Sequence, residues 1–306
     1  MTAQPQTGEA TWTVARLLAW TRDYLTRHGL DDARLAGEVL LSRAMGCRRI
    51  DLYARHEASP STEQLERFRE WVKRAAACEP IAYIVGEKEF FSLAFEVSGA
   101  VLIPRPETEA LVECVLDHCM QRGWTDPVIL DCGTGSGCIA ITLLKQLPKG
   151  RAVGTDLSQA ALAIAQQNAA RHGVSDRFVP VNADGLAIPA ALLPEDGVHV
   201  LACNPPYIPA SAIAGLQPGV RDFEPRTALT DESDGLSFYR MLAADSSRIL
   251  RDGGDGAAPG VVAVEVGDDR AAEVREIIER QGLLVYRRTQ RDRVTGRERV
   301  LLFEKA

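Results

Sequence analysis

Several absences narrow the reading of this 306-residue sequence before any motif is considered. No apolar run approaches the roughly 20 residues that a membrane-crossing helix needs. The opening MTAQPQTGEATWTVARLL holds no basic segment followed by an apolar core, so no secretory leader is expected and the chain reads as cytoplasmic. Cysteine is sparse and scattered: Cys47, Cys78, Cys114, Cys119, Cys132, Cys138 and Cys203 are odd in number and never spaced as CxxC. That argues against both a disulfide framework and a zinc site. Histidine is equally unpatterned, since His28, His56, His118, His172 and His199 form no HxxxH or HExxH arrangement, and no metal is expected. A basic excess is missing too. The net charge of −7 argues against a nonspecific nucleic-acid binder, although it leaves room for a local patch.

What remains is ordinary globular composition, 46% hydrophobic and 25% charged, at a length that favours two domains. Residues 1–80 read as a small helical bundle. Val14, Leu17, Leu18, Leu25, Leu35, Val39 and Leu40 recur at three- and four-residue spacing, and Ser61 stands as an N-cap before EQLERFREWVKRAAA. Trp12, Trp20 and Trp71 are expected in its core. Residues 81–104 alternate apolar and polar positions around Gly86 and Ser92 and predict a linking β-hairpin. A helix is expected from Pro106, with Arg105 held between two prolines at its entrance, where it can reach a carboxylate or stand as a surface residue. The arginine-rich YRRTQRDRVTGRER near the end is compatible with a solvated edge strand or with a docking face for an acidic partner.

From residue 105 to 306 the third segment alternates strands with helices: VILDCG, RAVGTD, FVPVNAD, VHVLAC and VVAVEVG are apolar strands separated by helical stretches. LLVYRRTQ and ERVLLFE close the chain, near enough in sequence to pair antiparallel. The pattern implies an α/β fold with a doubly wound, parallel sheet. Two corners of that sheet carry chemistry. DCGTGSG ends the first strand with Gly133, Gly135 and Gly137, where backbone can approach a ligand and expose helix N-terminal amides to it. A dinucleotide fingerprint would need a glycine where Cys138 stands, so the ligand is expected to lack a pyrophosphate. Asp156, at the end of the second strand, is placed to accept ribose hydroxyl hydrogen bonds. Asp184, ending the third, can bound an adenine pocket or serve as a turn residue. The other corner is Asn204-Pro205-Pro206-Tyr207, where two prolines stop the strand VHVLAC and stiffen a side-chain amide and a phenol ring at its carboxyl end.

DCGTGSG, Asp156 and NPPY in this order resemble the Rossmann-like S-adenosylmethionine-dependent methyltransferases that modify planar nitrogens. IAYIVGEKEFFSLAFEV, LIPRPETEALVE, NPPYI, FEPRTALT and GRERVLLFE are further similar to the peptide-chain release factor glutamine N5-methyltransferases, the HemK-like family. The resemblance runs from about Pro80 to the C-terminus. It implies a seven-stranded, mostly parallel sheet with a small N-terminal helical domain, and S-adenosyl-L-methionine as methyl donor. The donor would lie along Asp131, Gly133, Thr134, Gly135, Ser136 and Gly137, with its ribose on Asp156, its adenine near Asp184 and Gly185, and Asn204 at its reacting end. Cys132 stands where the family has leucine, and Gly185 where many relatives carry a larger residue.

The implied acceptor is the glutamine amide in the Gly-Gly-Gln loop of release factors. Such a nitrogen is nearly non-basic, so it needs acceptors aimed at its hydrogens and a flat wall rather than a general base. Asn204 Oδ1 and the Pro205 carbonyl are expected to accept, Pro206 to stiffen the turn and Tyr207 to stack on the amide plane. Release factors are the expected partners of a monomer that needs neither membrane nor direct nucleic-acid contact. A nucleic-acid N-methyltransferase acting on adenine N6 or guanine N2 is the alternative, since it would share NPPY.

Overall fold

The computed structural model describes residues 12–254 and 256–306. The eleven N-terminal residues, which open the stretch read above for a leader, and residue 255 lie outside the described residues. The chain divides into two compact units, one ending at Val85 and the other running from Gly86 to Ala306.

The first unit holds α1 (Val14–Arg27), α2 (Ala33–Ala44), α3 (Arg49–Ala54), α4 (Thr62–Ala76) and α5 (Ile81–Val85). Thr13 caps α1 through its hydroxyl, and Ser61 with Gln64 closes a capping box on α4, satisfying amides that have no partner within the first turn. Val14, Leu17, Leu25, Leu40, Leu41, Leu52, Phe68, Val72 and Ile84 form its core. The tryptophans do not fill that core as the sequence suggested. Trp12 and Trp20 are 39% and 42% exposed, and Trp71 packs half-buried at the margin. The reason is angular. The buried stripe of α1 passes through residues 14, 17, 21 and 25, which leaves Trp20 on the flank, stacked on Tyr24 at 4.8 Å in an i,i+4 row that continues to His28. Ile81–Val85, expected as strand, is also helical, and the two-stranded ladder begins only after Gly86.

The second unit opens with that hairpin, β1 (Glu87–Phe90) against β2 (Leu93–Glu96). Phe91 and Ser92 both have positive φ, the geometry of a two-residue turn matched to strand twist. A short 3-10 turn at Pro106–Thr108 leads into α6 (Glu109–Arg122), followed by β3 (Val128–Cys132), α7 (Cys138–Gln146), β4 (Arg151–Asp156), α8 (Gln159–Arg171), β5 (Phe178–Asn182) and β6 (Val200–Cys203). After α9 (Pro218–Phe223) and α10 (Ser237–Asp245) come β7 (Val261–Glu265), α11 (Ala271–Glu279), β8 (Leu284–Arg291) and β9 (Glu298–Lys305).

The sheet has seven strands in the order β5-β4-β3-β6-β7-β9-β8, with β9 antiparallel to both neighbours and the pairs from β5 to β7 parallel. Alternation along the strands assigns each residue to one of two cores. Ile129, Val200, Ala202 and Ala263 pack toward α6, α7 and α8. Leu130, Cys132, Leu201, Cys203 and Val264 pack toward α10 and α11. On β8, β9 and the turn between them, the arginines are matched internally. Arg287 pairs with Glu304, Arg288 donates to the Cys114 carbonyl, Arg291 pairs with Glu298, Arg293 with Glu113, and Arg297 and Arg299 with Asp268. Among the described residues no helix is long and apolar enough to cross a membrane.

Candidate active site

The strand order reverses between β3 and β6, which run parallel with Cys132 opposite Cys203. Gly133 and Asn204 therefore leave the sheet side by side at its carboxyl edge, where open α/β sheets bind ligands. A cleft of about 980 Å³, counting its open mouth, lies across this switch point, lined by both corners singled out in the sequence.

The glycine turn takes left-handed backbone at Gly133, Gly135 and Gly137. A Cβ at Gly137 would stand 2.7 Å from Ile141 Cδ1 and 3.3 Å from Ala165 Cβ, so a side chain there would force the Ile141 end to shift. Asp131 fastens the turn from beneath: its Oδ2 accepts the Thr134 hydroxyl at 2.7 Å and the Ala140 amide, in the first turn of α7, at 3.2 Å. The carboxylate is fully buried and outside the cleft lining, and burial pushes it up to about 6 against the pull of the Thr134 hydrogen bond. Asp131 thus holds the turn from outside the cleft lining. Thr134, Gly135 and Ser136 do line it, as do Gly133 and Asp156.

Asp156 is held in two directions, with Gly135 N donating to Oδ2 and Ser158 N to Oδ1, each at 2.9 Å. Each oxygen keeps a further lone pair for a ligand hydroxyl. Asn168, fully buried on α8, braces the same turn: it donates to the Ser136 carbonyl at 2.9 Å and exchanges two bonds with the backbone of Glu96 on β2. Beyond β5, Ala183 and Gly185 line the cleft while Asp184 is exposed and outside the lining. Gly185 has φ +54°, and the space its Cβ would take is filled by the sulfur of Met241 from α10. Phe238, one turn earlier on α10, also lines the cleft. The sequence offered no sign of Phe238 or Met241, which arrive from more than 50 residues away.

At the other corner, Asn204, Pro205 and Pro206 line the cleft. Asn204 Nδ2 donates to the hydroxyl of buried Thr108 at 3.2 Å. The structure places Tyr207 apart from the lining: its ring lies against Gly267 and its hydroxyl donates to Glu265 at 3.4 Å. Burial pushes the Tyr207 phenol well above its ordinary range. Arg105 reaches a carboxylate, the first of its two sequence readings, and pairs with Glu224, which also accepts from Ile103 N at 3.2 Å. This joins the LIPRPE stretch to FEPRTALT, and Pro225, Thr227 and Ala228 complete that wall. Among the described lining residues Arg105 and Asp156 carry charge, so the cleft is built to position and polarise.

The cleft brings together a turn of backbone amides at the head of α7, a carboxylate fixed against that turn and one aromatic ring, Phe238. Residues 16–86 match the family described as PrmC N-terminal domain, and residues 129–214 match the methyltransferase domain family. The release factor glutamine methyltransferase of Geobacter sulfurreducens is 40% identical over 282 residues, covering 92% of both chains. That of Rhodopirellula baltica is 38% identical over 297 residues, covering 96% of this chain and 97% of its own. Among solved structures, the hMettl16 catalytic domain in complex with MAT2A 3′UTR hairpin 1 superposes with a TM-score of 0.54 at 16% identity, covering 99% of this chain and 95% of that one, a likeness of fold alone. With a methyltransferase cleft in place and two such relatives matched over nearly their whole length, the chain belongs to the release factor glutamine methyltransferase family.

Proposed function

We propose that this chain transfers a methyl group from S-adenosyl-L-methionine to the side-chain amide nitrogen of the glutamine in the Gly-Gly-Gln loop of a peptide-chain release factor. The observation that carries the reading is the shared cleft, which sets Asp156 and the glycine turn on one side and Asn204-Pro205-Pro206 on the other.

When bound, the donor supplies a methyl group on a positively charged sulfonium, a good leaving group. Gly133 to Ser136 would hold its amino-acid end, Asp156 its ribose hydroxyls, and Gly185 with Phe238 its adenine. The protein's own task is the weak nucleophile. Asn204 Oδ1 and the Pro205 carbonyl accept the two amide hydrogens, which holds the plane of the glutamine and draws electron density onto its nitrogen. Pro206 adds a flat apolar face, while Tyr207 anchors the end of the tetrapeptide from below. The amide proton becomes acidic only as nitrogen is alkylated and leaves from the position these acceptors define. The rate then comes from positioning and preorganised acceptors, consistent with a lining whose charged groups are one arginine and one aspartate.

Incubation with labelled donor, offering release factor and duplex DNA in parallel, tests the reading. Label on the glutamine of the release factor is expected; label on DNA alone would overturn it.

A further inference from the structure

We propose that Arg105 is the residue of the cleft that binds the backbone of the substrate loop, its guanidinium donating to peptide carbonyls of the Gly-Gly segment beside the reacting glutamine. The inference rests on the reading of a release factor as the methyl acceptor, and it goes beyond that reading by naming what holds the loop.

Arg105 is fixed at both its backbone and its side chain. It stands in extended conformation between Pro104 and Pro106, and its carbonyl accepts the Thr108 amide at 3.1 Å, closing the 3-10 turn Pro106–Thr108. Thr108 in turn takes Asn204 Nδ2 at 3.2 Å. The Arg105 backbone therefore lies one tight turn from the residue that holds the proposed acceptor. Its side chain pairs through Nη2 with Oε1 of Glu224. The Glu224 side chain is 1% exposed, and its Oε2 accepts Ile103 N at 3.2 Å. Glu224 is itself extended, ahead of Pro225, which lines the cleft together with Arg105. Two stiff segments thus set the guanidinium in place before any ligand arrives.

A guanidinium carries five N–H groups in a planar fork. Glu224 takes Nη2, and the other N–H groups of the fork have no hydrogen-bond partner among the described residues, while the side chain is 32% exposed and lines the cleft. The charge is already balanced by Glu224, so the fork offers directed donors without an unmatched cation. That suits a neutral acceptor. Two glycines present only backbone, and a peptide carbonyl is such an acceptor. A carboxylate, including the one at the donor's amino-acid end, would meet the repulsion of Glu224 together with the attraction of Arg105 and gain less. With Arg105 on the loop backbone and Asn204 and Pro205 on the terminal amide, the glutamine is held at two points, which fixes the plane of its nitrogen. Glu224 is then a positioning residue acting through Arg105.

The experiment measures steady-state methylation of release factor by the full-length Arg105→Ala and Arg105→Lys chains, with calorimetric titration of the donor product S-adenosylhomocysteine. In Arg105→Ala the release-factor KM is expected to rise at least about tenfold, with product Kd within about twofold of the parent, as for a group that binds acceptor alone. A smaller rise in KM overturns the proposal. A product Kd weakened beyond that range also overturns it, because Arg105 would then serve the donor or the cleft as a whole. Lysine can keep the ion pair with Glu224 but lacks the fork. Arg105→Lys is therefore expected to keep KM raised at least about fivefold. A smaller rise there would show that only the tie to Glu224 matters, and would overturn the assignment. Should Arg105→Ala fail to fold, Arg105→Lys decides alone. Failure of the underlying reading appears separately, in the parent chain, as release factor left unlabelled.

Discussion

Asn204 Nδ2 donates to the Thr108 hydroxyl across 3.2 Å, joining a residue at the end of β6 to one lying 96 positions earlier at the head of α6. The bond ties the acceptor corner of the cleft to the segment that also carries Arg105, and it leaves the amide oxygen as the end turned away from Thr108.

Truncating that side chain removes the proposed acceptor while leaving the glycine turn intact. Asn204→Ala is expected to keep the donor bound and to slow methyl transfer at least about tenfold, the loss of a bond worth about 1–3 kcal/mol at the transition state. Single-turnover kinetics at saturating donor measures it, and an unchanged rate would take Asn204 out of the mechanism.

Asp156 should separate from Asn204 in kinetics. Asp156→Ala removes the proposed acceptor for ligand hydroxyls and also unpairs the amides of Gly135 and Ser158. Donor affinity is expected to fall about 10- to 100-fold, corresponding to about 1–3 kcal/mol, with a smaller change in kcat once donor saturates. Calorimetric titration with donor product checks it; an unaltered Kd would place the ribose elsewhere.

The contact between Gly185 and Met241 predicts a coupled pair. Gly185→Ala puts a methyl group where the Met241 sulfur sits and imposes a left-handed residue with a side chain, so a loss of about 1–3 kcal/mol is expected. Adding Met241→Ala should return part of the stability, since the overlap is then relieved. Urea unfolding of the two single variants and the double variant would show strict additivity if the residues did not touch.

Asn168 makes three backbone hydrogen bonds from a fully buried site. Asn168→Ala leaves the Glu96 amide and the Ser136 carbonyl without those partners, and a destabilisation of about 2–4 kcal/mol is expected together with weaker donor binding. A variant as stable as the parent would mean that the hairpin and the turn are braced by other contacts.

His118 gives the acid limb of stability. It is buried, and burial with Arg122 beside it pushes the ring down to about 4. An unfolded histidine binds its proton near 6.5, so between about 6.5 and 4 the unfolded chain holds more protons than the folded one, and stability falls as pH falls. The contribution is complete above 6.5 and amounts to about 3 kcal/mol across the window. Asp131 and Glu265, both raised, act with the opposite sign, so the comparison must be with a variant. The stability difference between parent and His118→Asn should shrink on going from pH 7 to pH 4.5; a constant difference would show that the ring is already protonated when folded.

Much of the donor half was legible because it is local. The glycine turn and Asp156 occupy consecutive strand ends, and strand, turn and helix follow one another within 30 residues. Ser158 and Ser61 cap their helices for the same local reason. Trp20 was misplaced because its row along α1 also has helical spacing, and periodicity alone does not say which of two adjacent rows faces inward. Ile81–Val85 was misplaced because five apolar residues fit a strand or one helical turn equally well. Glu265 is visible in the sequence as a lone acid in an otherwise apolar strand, VVAVEVG, which needs a partner to be buried. Thr108 carries no such sign.

From the order of its residues alone, the chain determined an alternating α/β sheet, two polar corners at strand ends and a helical first unit, since each of these depends on patterns spanning a few residues. Tertiary structure decided which atoms face the cleft. It withdrew Asp131 beneath the turn, set Asp184 outside the lining, folded Tyr207 onto Glu265, added Phe238 to the cleft and packed Met241 against Gly185. Those outcomes depend on contacts between strands and helices far apart in the chain, where burial and hydrogen-bond partners fix orientation, and no local pattern encodes them.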